Sequence, residues 1–217
     1  MGKSIVLLIL ICFSCNLNKV IDSEESSSSI DPVFKEVSDS SIDSVKLYQE
    51  KYLEFYQKWN INSRNKVLID STLYYLNKQI EMNPKDYSLI IEKTIFLMKN
   101  NFYDKALLEI QIISEDGPFY KFLEGVISLK LDKDNSGKLL KEAHNEFIEY
   151  AKEYEDINDI LWKVILDNYF EGKDYALKEI EKYKNKAEDK YQLYLYEEVK
   201  ELILKMSKEE VLFNFIN

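Results

Sequence analysis

The chain has 217 residues with 29 basic against 39 acidic side chains, a formal net charge of −10. That sign repels phosphate backbones and anionic lipid surfaces, and with Arg64 as the sole arginine, bidentate clamps on phosphate or carboxylate are almost lacking, so no nucleic-acid partner is expected. Two cysteines exclude a disulfide framework, a single histidine leaves histidine triads and zinc sites short of residues, and five glycines and three prolines beside many Leu, Ile, Lys and Glu favour helix.

In chain order, Met1-Gly2-Lys3 precedes an unbroken apolar run from Ile5 to Phe13, then Ser14-Cys15. A bilayer-spanning helix needs about 20 apolar residues, so this run predicts an export signal instead. A small residue directly before a cysteine at the end of such a run resembles the bacterial lipoprotein signal. The resemblance implies removal of residues 1–14 and acylation of Cys15, with palmitate among the usual chains, and a place in the bacterial envelope at the outer membrane or cell surface. A secreted chain cut after Ser14 without lipid is the alternative. Residues 15–41 are polar and acidic, with Ser26 to Ser29 in one run, and bury too little apolar area to offset their ordering entropy. They predict a flexible tether to a folded domain over 42–217.

From Ile42 onward the apolar residues recur at three- and four-residue steps. Val45 to Trp59 and Val67 to Ile80 predict the first two helices, followed by Tyr87 to Met98, Tyr103 to Ile113, Phe119 to Leu131 and Leu139 to Tyr154. The last third predicts helices over Ile157 to Phe170, Tyr175 to Tyr183, Lys190 to Met206 and Val211 to Ile216, the last with Ser207 and Glu210 as a capping box. No stretch alternates for long enough to predict a strand. The expectation is all-α, with nine or ten helices.

Pro84 and Pro118 lie 34 residues apart, and between them come Tyr103 at a hairpin bend, then Ala106 and Ile110. This segment resembles one tetratricopeptide repeat, in which a small residue at Ala106 lets two helices approach closely. Leu123-Glu124-Gly125 with Ala143, Phe147 and Ala151 resembles a second, given about six extra turn residues from Asp132 to Gly137. Gly172 to Ala176 resembles the turn of a third. The resemblance implies a short right-handed α-solenoid of about four to five hairpins. In that family the first helix of each pair lines a groove, which here places Ile91, Ile95 and Met98 in one row and Phe122, Val126 and Leu129 in the next. An amphipathic helix or apolar peptide suits such rows, and the same residues serve equally as core.

Among residues that carry chemistry, Asp132-Lys133-Asp134-Asn135-Ser136-Gly137 matches the opening half of a calcium loop, with Asp132, Asp134 and Ser136 as ligands. The bidentate glutamate at its twelfth position is replaced by Ala143, so no metal and no other cofactor is expected. Glu153 with Asp156, Asp156 with Asp159, and Glu197 with Glu198 are the carboxylate pairs, expected on solvated faces, and His144 is expected to pack between helices or face solvent. The reading is a lipid-anchored, non-enzymatic module for an unknown protein or peptide. A subunit of an outer-membrane assembly machine is the alternative within that class. A carboxylate-based hydrolase or carbohydrate-binding lipoprotein is the alternative outside it.

Overall fold

The computed structural model describes residues 39–113 and 117–214, which form ten α-helices and no strand. The expected signal peptide, Cys15 and nearly all of the tether lie outside the described residues. The all-α expectation holds, and each helix packs on its chain neighbour within two compact units. The chain passes from one unit to the other between Phe102 and Tyr103. That boundary runs through the turn of the segment that best resembles a repeat.

The first unit holds α1 (Asp39–Ile61), α2 (Lys66–Met82) and α3 (Tyr87–Lys99). Asn65 starts α2 by accepting from the amides of Val67 and Leu68, and Asp86 starts α3 by accepting from Ser88, which satisfies amides a helix N-terminus leaves unpaired. Trp59, Ile69 and Phe96, one from each helix, form the core cluster, with the Trp59 and Phe96 rings 4.8 Å apart. Two polar ties bind α1 to α3. Trp59 Nε1 donates to Asn100 Oδ1 at 3.0 Å, and Asn100 Nδ2 donates to the Phe96 carbonyl at 2.8 Å. The Tyr52 hydroxyl donates to Glu92; burial and then the Glu92 charge push the phenol up, so Tyr52 keeps its proton. Beyond Asn100, Asn101 takes φ 61° and its amide and that of Phe102 return to the Met98 and Leu97 carbonyls, closing α3.

The second unit runs through α4 (Tyr103–Ile110), α5 (Pro118–Lys130), α6 (Ser136–Glu153), α7 (Ile157–Phe170), α8 (Lys173–Lys184), α9 (Lys190–Lys205) and α10 (Lys208–Asn214). Helix α7 is its hub. Every residue from Ile160 to Asn168 is buried, and α6, α8, α9 and α10 all pack against it. Phe119 and Phe122 of α5 place their rings 5.1 and 4.9 Å from Trp162 of α7. Gly125 sets the α5–α6 approach, because a Cβ there would lie 2.9 Å from the Leu140 side chain and 3.1 Å from its backbone nitrogen. Ser207 and Glu210 form the expected capping box, the Ser207 amide donating to the Glu210 carboxylate at 2.8 Å and the Glu210 amide to Ser207 Oγ at 3.2 Å.

Candidate functional site

The groove rows expected from the repeat pattern are interior. Ile91, Ile95 and Met98 are 4, 6 and 2% exposed, Phe122 and Val126 are 0% exposed, and Leu129 alone is partly open. Side chains withdrawn from solvent offer a partner no surface, so the groove assignment is corrected to core. The row spacing is equally that of a helix apolar on nearly every side, as α3 is from Ile90 to Met98.

The calcium-like segment is built as a helix cap. Asp132 takes φ 53°, its amide donates to the Leu129 carbonyl at 3.2 Å, and the Lys133 amide donates to Ser128 at 2.9 Å, which ends α5 in the usual left-handed closure. No group of three or more metal-ligating side chains gathers among the described residues. Asp156 caps α7 by accepting from the Asn158 amide at 2.7 Å, and Glu197 pairs with Lys184 at the surface.

Asp159 departs from the solvated reading, because burial and then the like charge of Asp156 push its carboxyl up to about 6. A folded-state value above the unfolded one means that the stabilising, protonated form is fully present below about pH 4 and is lost as pH rises through about 6. Asp159→Asn is therefore expected to gain about 1 kcal/mol over the parent at pH 8, a figure well below the full conversion of the shift because the side chain is partly exposed. The gain should vanish at pH 4. Urea midpoints at the two pH values check it.

His144 lies in a buried polar network around α7. Its Nε2 donates to Asp167 Oδ1 at 2.8 Å, Lys163 Nζ donates to Asp167 Oδ2 at 2.7 Å, and the same ammonium donates to Glu179 Oε2 at 2.9 Å. His144 and Asp167 are each 2% exposed, and the Phe170 ring stacks on the imidazole at 5.4 Å. Burial pulls the Lys163 ammonium down, but the hydrogen bonds to Asp167 and Glu179 outweigh it and hold the group above its ordinary range. The expectation of a packing role fits this placement, and the network joins α6, α7 and α8 in one register.

One open feature among the described residues of the second unit is a cleft of about 330 Å³, at the small end of ligand-pocket sizes. Helices α6 to α9 alternate in direction through short turns, so the α6–α7 turn and the α8–α9 turn fall at one end of the array. Tyr154 and Glu155 come from the first turn, and Lys186 and Glu188 from the second. Ile157 and Ile160 of α7, Tyr183 at the end of α8, and Gln192 and Tyr196 of α9 complete the lining. Ile160 and Tyr196, 4 and 3% exposed, sit deepest, whereas Tyr154 at 63% forms the lip. The Tyr183 and Tyr196 rings are near parallel, 19° apart with centroids at 6.3 Å. Glu155 holds φ 50°, a left-handed position just past the end of α6 where glycine is the usual residue.

Sequence reasoning missed this site. Its three tyrosines are scattered along the last third of the chain, and only the pairing of alternate turns at one end of the array brings them together. Comparison of the chain with protein-family models, with curated proteins and with solved structures returns no match.

Proposed function

We propose that this protein is a lipid-anchored, non-enzymatic binding module of the bacterial envelope, and that recognition takes place in the cleft at the α6–α7 and α8–α9 turns. The observation that carries the reading is the cleft itself: three phenol rings, two isoleucines and four polar side chains converge on about 330 Å³. A concave space in which aromatic and polar side chains converge supports recognition there. It holds a small ligand or one side chain of a partner protein or peptide. The anchor follows from Lys3, the apolar run to Phe13 and Ser14-Cys15, which supply the flank, length and acceptor of a lipoprotein signal. Of the carboxylates paired in the sequence, none lines the cleft, so a hydrolase finds less support than a binder.

Labelled fatty acid fed to expressing cells tests the anchor. Incorporation into the parent, with loss of label and release from membranes in Cys15→Ser, is the expected result. Equal labelling in that variant overturns it.

A further inference from the structure

We propose that the α1–α2 turn, at the tip of the first unit, docks on a bilayer surface that carries anionic phospholipid. This contact is additional to the anchor and independent of the cleft, and acylation of Cys15 is read separately by the labelling experiment.

Two observations meet at the turn. Ile61, the last residue of α1, is 89% exposed and Val67, in the first turn of α2, is 69% exposed, which makes them the two most exposed large apolar side chains among the described residues. They flank Asn62, Ser63, Arg64 and Asn65, so both aliphatic groups stand at one end of the hairpin. The charge there has one sign. From Lys58 to Ile69 the basic residues are Lys58, Arg64 and Lys66 and no residue is acidic. Arg64 and Lys66 are exposed and form no ion pair with a described residue, while Lys58 pairs with Glu54 at 2.6 Å, one turn back along α1. The C-terminal turn of α3 comes to the same end through the Trp59–Asn100 hydrogen bond and adds Lys99.

The net charge of −10 repels an anionic surface, but it is carried elsewhere in the chain, since residues 39–102 hold nine basic and eight acidic side chains. Attraction to anionic lipid falls off within a Debye length of about 8 Å at physiological salt, so a bilayer reads the tip and not the sum over the chain.

Shape selects a bilayer over a protein. A side chain 89% exposed on a convex turn has no neighbours to form a pocket with, so a folded partner would have to supply the whole cavity, whereas lipid headgroups close around any protruding methyl group. Ile61 and Val67 gain apolar burial, Arg64 takes phosphate oxygens in a bidentate fork, and Lys66 adds a point charge. Reach is not limiting. The 24 residues from Cys15 to Ser38 extend to at most about 80 Å, and α1, 23 residues long, measures about 34 Å, so a chain anchored at Cys15 can set the tip on the same membrane.

A polarity-sensitive dye on Ser63→Cys, in the full chain with Cys12→Ser and Cys15→Ser, tests the contact on vesicles of phosphatidylcholine with and without phosphatidylglycerol. The dye is expected to shift to the blue and to be quenched by nitroxide-bearing lipid on the anionic vesicles alone, and high salt should reverse both effects. The same dye on Leu108→Cys, an exposed position of the second unit, should keep its aqueous emission on both. Arg64→Gln with Lys66→Gln should lower the ratio of docked to free tip by roughly tenfold or more, and Ile61→Ser with Val67→Ser by a similar factor.

Equal emission on the two kinds of vesicle, or a shift that both double variants preserve, overturns the proposal. Aqueous emission on both vesicles with a protease-sensitive shift on membranes isolated from the cells assigns the tip to a protein partner, and overturns it too. Because the dye reports from the first unit, its failure leaves recognition at the cleft untouched.

Discussion

Asp167→Ala is expected to destabilise the second unit by about 3–5 kcal/mol, the usual cost of removing one partner from a buried ion pair. Asp167 accepts from both His144 and Lys163, and its side chain is 2% exposed. Its removal leaves the His144 ring without its Nε2 acceptor and leaves Lys163 with Glu179 alone. The penalty is that of desolvated polar groups, not of a lost attraction, so Glu179→Gln, at a side chain 16% exposed, should cost far less. Trp162 lies in α7 one residue from Lys163, and Trp59 lies in the first unit. Urea unfolding followed by Trp162 fluorescence in a Trp59→Phe background therefore reads the unit in question. A midpoint unchanged by Asp167→Ala would show that the network contributes nothing.

Phe122→Ala is the second large effect, at about 3–5 kcal/mol. Phe122 is 0% exposed and packs 4.9 Å from Trp162, so truncation opens a cavity between α5 and α7. The same residue at a groove surface would cost a small fraction of that. Tyr154→Ala, at a ring that is 63% exposed, supplies the surface reference and should fall within about 0.5 kcal/mol of the parent in the same urea assay. Comparable small losses in both variants would return Phe122 to the surface.

The helices were legible because each carries its own local signal. Periodicity at three and four residues located all ten, and Ile157 to Phe170 coincides with α7 at both ends. Ser207 and Glu210 were legible as a capping box because that motif lies within four residues. The groove rows were misread because a helical repeat of apolar residues reports which residues share a face and not what covers that face. Ile91, Ile95 and Met98 share one, and it is buried. The unit boundary at Phe102 and Tyr103 was equally hidden, since Asn100 to Tyr103 reads as an ordinary hairpin turn.

The cleft and the polar network were illegible for a different reason. Asp167 and Glu179 look like surface charges on their own helices, and only tertiary packing brings them to Lys163 and His144. Tyr154, Tyr183 and Tyr196 likewise meet through the alternation of four helices. A reader who had placed the α6–α7 and α8–α9 turns at one end of the array could have found the tyrosines there, since each lies within about two turns of a helix end.

The most direct test of recognition at the cleft is an NMR titration of the full chain, labelled in its tyrosine rings, with the low-molecular-mass and peptide fraction of a bacterial envelope extract. The account predicts that the ring resonances of Tyr154, Tyr183 and Tyr196 shift together and saturably, while those of Tyr48, Tyr52 and Tyr75 in the first unit stay in place. Ring resonances of the three cleft tyrosines that remain unmoved would contradict it.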